Sequence, residues 1–110
     1  HDQVFSAVSH LPHMLAYTLV HMIATRSDAQ ELFSFAAGGF RDFTRIASSS
    51  PEMWRDIAGA NREALLADIA TYQQQLGQLA ELIRNADAGQ LGQVFETARN
   101  ARNAWLRRDS

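Results

Sequence analysis

The 110 residues contain no cysteine and only two prolines. Disulfides and thiolate metal sites are therefore excluded, and a reducing cytoplasm suits the composition. No G-x-G-x-x-G follows a strand pattern, no G-x-x-x-x-G-K-S/T occurs, and almost no stretch alternates with period two. The chain shows no means of its own to hold a dinucleotide. No run is long enough to span a membrane: the longest apolar region, Leu11 to Ala24, is interrupted by His13, Tyr17, Thr18 and His21. Neither an initiator methionine nor a signal peptide opens the chain at His1. The length fits one domain, expected to be part of a larger protein. Charge of one sign is also lacking, since ten basic and twelve acidic side chains leave −2. That balance argues against nucleic acid as a partner. The expectation is a cytoplasmic chain with neither nucleic-acid nor membrane partners.

What remains is helical pattern, and the fold class it implies is all-α. A first long helix is expected from Gln3, with Asp2 as N-cap, to about Thr25. Arg26-Ser27-Asp28 breaks it, and a short second helix runs through Phe35. Ala36-Ala37-Gly38-Gly39 is expected to stop that helix, because paired glycines favour backbone conformations that helices do not use. Phe40 to Ala47 reads as a third helix. Ser49-x-x-Glu52 has the form of a capping box before Pro51, from which helix is expected to about Ala86, broken around Gly59-Ala60-Asn61. Leu65, Ile69, Tyr72, Leu76, Leu79 and Ile83 recur in steps of four and three, a seam suited to another long helix. After a turn at Asp87-Ala88-Gly89, the last helix, Gln90 to about Arg107, is expected to bury Leu91, Val94 or Phe95, Ala98 and Trp105. The whole reads as a bundle of about six helices. It carries more apolar helix face than such helices need among themselves, which points to burial against a second copy.

Chemistry-bearing residues gather on the first helix. At about 100° per residue, Ser6, His10, His13, Tyr17 and His21 share an arc of roughly 80°, with Val4, Val8, Leu11, Leu15, Leu19 and Met22 opposite. Pro12 sits inside this pattern and pushes against the carbonyl of Val8. Each histidine taken singly reads as a half-buried polar residue satisfied by a neighbour. His10 and His13, at i, i+3, are spaced to share an ion, but no third ligand stands on that arc. The alternative is a pocket for an anion. Arg41, Asp42 and Arg45 form a second group, which reads either as a solvated helix face or as an anion grip opened by Gly38-Gly39. Trp54, one turn into a helix, reads as a core anchor. Ser9, Tyr17 and Thr44 are further hydrogen-bonding candidates. No Ser-His-Asp set or paired carboxylates supports catalysis by this chain alone.

The same residues carry a resemblance. HD at residues 1–2, SHLPH at 9–13, GGFRDFTRIA at 38–47 and PEMWRDI at 51–57, in that order, are similar to the C-terminal helical domain of prephenate dehydrogenases. The motifs cover His1 to about Asn61, and the remainder matches in helical pattern only. The resemblance implies an intertwined homodimer, with residues 1–110 as the substrate and dimerisation domain and an upstream Rossmann domain holding NAD or NADP. It implies oxidative decarboxylation of prephenate to 4-hydroxyphenylpyruvate in tyrosine biosynthesis, with arogenate as the other possible substrate. The catalytic histidine would lie in the cofactor domain, so this fragment alone is expected to be inactive. By match to the motifs, His13, with Ser9 and His10 beside it, faces substrate, Arg45 grips a carboxylate, and Trp54 looks onto the pocket. Asp42 lies near the pocket mouth or the dimer partner, and Arg41 stays on the surface. The competing reading is a stand-alone helical dimerisation or ligand-sensing module without catalysis.

Overall fold

The computed structural model describes residues 1–108, and every regular element among them is helical. α1 (Asp2–Phe5) passes through a π-helical segment (Ser6–His10) into α2 (Leu11–Ala24), with helical backbone at each junction. There follow α3 (Ala29–Phe35), α4 (Gly38–Thr44), a 3₁₀ turn (Arg45–Ser48), α5 (Pro51–Ala60), α6 (Arg62–Arg84) and α7 (Ala88–Arg108). With the continuous first stretch taken as one long helix, this is the six-helix all-α chain that the pattern predicts. Among the described residues no helix is long and apolar enough to cross a membrane.

Several boundaries differ from expectation, each for a local reason. The long helix starts at Asp2, and its N-cap His1 makes no side-chain capping bond. Pro12 is accommodated by a widened turn just before it: the Leu11 amide reaches back five residues to the Ser6 carbonyl. The second helix stops within Ala36-Ala37-Gly38-Gly39 as expected, but the break falls on extended Ala36 and Ala37, while Gly38 and Gly39 open α4 and no glycine adopts positive φ. α4 ends at Thr44 and tightens into the 3₁₀ turn, so helix of the α type does not reach Ala47. Ser50, not Ser49, caps α5, its hydroxyl accepting from the Met53 amide at 3.2 Å. A capping box at Ser49 is thus one residue out of register. α6 ends two residues before Ala86, which takes φ 52° in the turn, and the Asp87 carboxylate accepts from the Gln90 amide to start α7 at Ala88.

The chain divides into two compact units, His1–Ala70 and Thr71–Ser110, the division falling within α6. In the first unit α2 packs against α3, α4 and the 3₁₀ turn. Its buried residues are Ser6, Ala16, Trp54 and Leu65. Part of the polar arc of the long helix therefore lies inward, and Leu11, Leu15 and Leu19 of the apolar arc are half-buried with it. Val4, Val8 and Met22, on the arc expected to pack, are more than half exposed. Ser6, Ala16 and the half-buried His10, His13 and Tyr17 face the chain's own body. In the second unit α7 buries nothing: Val94, Phe95 and Trp105 are about half exposed and Leu91 is half-buried. The core expected there is absent among the described residues. Along the seam Leu65 is buried, whereas Leu76 and Ile83 are exposed.

Candidate functional site

The inward arc of the long helix meets α5 at Trp54. Pro51 and the Ser50 cap set the first turn of α5, and Trp54 falls one turn in, 7% exposed. The imidazole of His13 lies flat on its indole, ring centroids 3.6 Å apart at 16°. His10, one turn earlier, meets the same indole edge-on at 5.9 Å and 78°, and Phe5 stacks beyond His10 at 6.5 Å. The π-helical turn brings Phe5 and His10 into this stack while Pro12 opens the next one.

Hydrogen bonds fix the rings in place. The Nδ1 of His13 donates to the Ser9 carbonyl at 3.0 Å, so Ser9 contributes backbone here and not its hydroxyl. The Asn61 amide nitrogen donates to the Asp2 carbonyl at 2.9 Å and to the Nδ1 of His10 at 3.1 Å. The Tyr17 hydroxyl donates to the Ser49 carbonyl at 2.7 Å, tying the helix to the end of the 3₁₀ turn. Trp54 Nε1 is buried and has no hydrogen-bond partner among the described residues. A buried donor left unmade costs about 1–3 kcal/mol. Two hollows adjoin the cluster. One, of about 260 Å³, is lined by Met14, Tyr17, Pro51, Trp54, Arg55 and Ala58, and is mostly apolar. The other, of about 610 Å³, is polar and lies where Asp2, Asn61, Arg62 and Glu63 meet.

The second group of candidates stands apart. Arg45 and Asp42 are exposed, on the 3₁₀ turn and on α4, and neither makes a hydrogen bond or ion pair among the described residues. The same holds for Arg41. Thr44 spends its hydroxyl on the Phe40 carbonyl at 2.7 Å. His21 is exposed, and its carbonyl accepts from Thr25 at the end of α2. The structure thus joins His10, His13, Ser9 and Trp54 directly, and links Arg45 to them only through the packing of its turn on α2. Among the described residues no group of three or more His, Asp or Glu side chains is placed to hold a metal ion.

Two residues that sequence reasoning passed over belong to the cluster. Asn61 looked like a helix break, and it is one, with φ −113° at the end of α5. Its contact with His10 spans 51 residues, so no local spacing announces it. Arg55 was unremarkable beside Trp54, yet it lines the apolar hollow while pairing with Asp56 at 3.1 Å.

Comparison with known proteins bears on this arrangement. Residues 1–97 match the family model described as prephenate dehydrogenase, dimerization domain. A prephenate dehydrogenase from Bacillus subtilis (strain 168) is 41% identical over 104 residues, covering 94% of this chain and 28% of that protein. The crystal structure of Synechocystis arogenate dehydrogenase superposes with a TM-score of 0.88 at 31% identity, over 96% of this chain and 39% of that one. A prephenate dehydrogenase from A. aeolicus, in complex with hydroxyphenyl propionate and NAD+, gives 0.87 at 40% identity, over 94% and 37%. The chain spans less than two-fifths of each of these relatives. With residues 1–97 inside the family model and the paired histidines of its SHLPH block set against Trp54, the chain belongs to the prephenate dehydrogenase dimerization-domain family.

Proposed function

We propose that this chain is the substrate-side and dimer-forming part of a cytoplasmic enzyme of tyrosine biosynthesis. That enzyme oxidatively decarboxylates prephenate, or arogenate, to give 4-hydroxyphenylpyruvate or tyrosine. The observation that carries this reading is the stacked His13–Trp54 pair with an unspent indole donor, on a chain similar to an enzyme solved with hydroxyphenyl propionate. A flat ring ligand suits aromatic walls, and a buried N–H without a partner suits a ligand oxygen. Arg45, exposed and unpaired, is the cation available for a carboxylate. The chain's role is to bind and orient, which converts an encounter into a positioned reaction.

A dinucleotide does not fit the described residues. No strand leads into a helix here, and no glycine-rich turn opens a long helix to cradle a pyrophosphate. NAD or NADP, which accepts the hydride, is held by an upstream Rossmann domain of the whole protein. The histidine that polarises the ring hydroxyl belongs to that domain too, and this chain alone is inactive. The second copy covers the outward apolar arc of the long helix.

The test is NADH formation by the whole protein with prephenate and with arogenate. Trp54→Phe keeps the ring and deletes the donor. It is expected to lower kcat/KM by about 5- to 150-fold, the equivalent of about 1–3 kcal/mol, with a thermal melt alongside to read the cost of the cavity that the smaller ring leaves. No turnover of either substrate by the unaltered protein would sink the proposal.

A further inference from the structure

We infer that Asn61 is a positioning residue that holds the proton of His10 on Nε2, so that His10 meets its ligand as a hydrogen-bond donor and not as a base. The inference rests on the reading of the His10–His13–Trp54 cluster as a substrate site, and on geometry that reading does not use. The Asn61 amide faces two atoms, the Asp2 carbonyl oxygen at 2.9 Å and the Nδ1 of His10 at 3.1 Å. A backbone carbonyl only accepts, so the amide must turn its nitrogen, not its oxygen, toward Asp2. One amide hydrogen goes to that carbonyl. The other is left for His10 Nδ1, which must receive it on a lone pair. An imidazole with a lone pair on Nδ1 carries its proton on Nε2. That Nε2–H makes no hydrogen bond among the described residues and is free to donate.

His13 is set the opposite way. Its Nδ1 faces the Ser9 carbonyl at 3.0 Å and must hold a hydrogen, which leaves Nε2 as the lone-pair nitrogen of the neutral ring. Two histidines three residues apart on one helix, both against one indole, are thereby given different characters. The backbone of the long helix decides one of them, and a side chain 51 residues away decides the other. His10 suits an acceptor oxygen of the ligand, and His13 suits a donor or a proton in transfer.

The deciding measurement is two-bond ¹H–¹⁵N correlation of the histidine rings in this chain and in the whole protein, whose cross-peak pattern reports which ring nitrogen is protonated. His10 is expected to show Nε2–H with bare Nδ1, and His13 protonated Nδ1. Asn61→Asp places an acceptor at Nδ1 and should move the His10 proton there. Asn61→Ala should leave His10 a mixture of the two forms. In the whole protein Asn61→Asp should lower kcat/KM for prephenate about tenfold or more, from one charge-assisted contact mis-set. His10 protonated on Nδ1 in the unaltered protein, or a pattern indifferent to both Asn61 variants, overturns the inference. A protein with Nε2-protonated His10 that turns over neither prephenate nor arogenate instead overturns the substrate reading and leaves the assignment of His10 intact.

Discussion

The Ser6 hydroxyl donates to a carboxylate oxygen of Asp68 at 2.6 Å, joining two residues 62 apart in sequence. Ser6 is wholly buried and opens the π-helical segment, while Asp68 is half-buried on α6. This bond clamps the long helix at the point where its hydrogen-bonding register changes. His10 and His13 lie one and two turns further on, so the clamp also sets the phase in which they meet Trp54. This contact joins the Tyr17–Ser49 and Asn61 bonds in coupling packing to the site.

Ser6→Ala is expected to destabilise the chain by about 1–3 kcal/mol, since it leaves a half-buried carboxylate without its donor. At roughly 4–8 °C per kcal/mol for a domain near this size, the loss is easily read from a thermal melt. Asp68→Asn, which keeps an acceptor oxygen, should cost less. A double-mutant cycle should give a coupling of about 0.5 kcal/mol or more. A Ser6→Ala melt within the scatter of surface substitutions, about 0.5 kcal/mol, would show that the contact is incidental.

Legibility in the sequence followed the range of the forces involved. Helix content and the breaks at Arg26-Ser27-Asp28 and Asn61 depend on neighbouring residues, and both were readable. A serine cap before Pro51 was readable, but the capping-box pattern falls one residue early, because Ser48, Ser49 and Ser50 are chemically equal and only the chain path selects Ser50. Gly38-Gly39 misled because glycine permits unusual backbone without requiring it, and α4 has no need of it. The orientation of the long helix was only partly legible. The apolar arc reads as a packing face, and Val8 stands 71% exposed in the single chain while Ser6 is buried. Periodicity finds the two faces of a helix but not which face meets the same chain and which is left for another. The histidines and Trp54 were legible as candidates through their motifs. The partnership of His10 with Asn61 was not, since it is made across the fold.

That outward face yields a second prediction. Val4, Val8 and Met22 form an apolar strip along one side of the long helix, exposed in the single chain. Sedimentation equilibrium at micromolar concentration is expected to show a dimer of this 12.3 kDa chain. Val8→Glu should cost an isolated chain less than about 0.5 kcal/mol, as an exposed substitution. In a dimer it buries an unpaired charge, at several kcal/mol, and should shift the equilibrium to monomer with helical circular dichroism retained. An unaltered chain that sediments as a monomer would remove the reason for the strip.

The turn between α2 and α3 carries a pH effect of known sign. The Arg26 guanidinium donates from Nε and Nη2 to the two Asp28 oxygens at 3.0 and 3.1 Å, and this holds the carboxyl below its ordinary value. A group depressed on folding adds stability above its unfolded value, and that stability is lost as pH falls through the folded value. Because the pair is exposed, the contribution is small and screened by salt. NMR titration should place the Asp28 midpoint below that of an unpaired aspartate, and Arg26→Ala should return it. An Asp28 midpoint unmoved by Arg26→Ala would show that the guanidinium is not the cause.

Arg45 separates a working pocket from a decorated surface. It is exposed on the 3₁₀ turn, has no partner among the described residues, and its turn packs on α2 near the Tyr17–Ser49 bond. A cation paired to nothing in its own chain is free for a carboxylate, and a guanidinium fork binds one through two parallel bonds. Arg45→Ala in the whole enzyme is expected to cost about 2–5 kcal/mol of binding, or roughly 30-fold to several-thousand-fold in kcat/KM. The loss should fall on KM if the carboxylate is held equally in ground and transition states, because uniform binding leaves kcat alone. Arg45→Lys should recover only part of it, as a point charge cannot reproduce the fork. Arg41→Ala, four residues earlier on α4 and equally exposed, is the control and should change little. Thermal melts of all three variants should match the parent, since the exposed Arg45 side chain makes no hydrogen bond or ion pair among the described residues. Near-normal KM and kcat in Arg45→Ala would place the carboxylate against another cation, and Arg55 at the edge of the Trp54 hollow would be next to test.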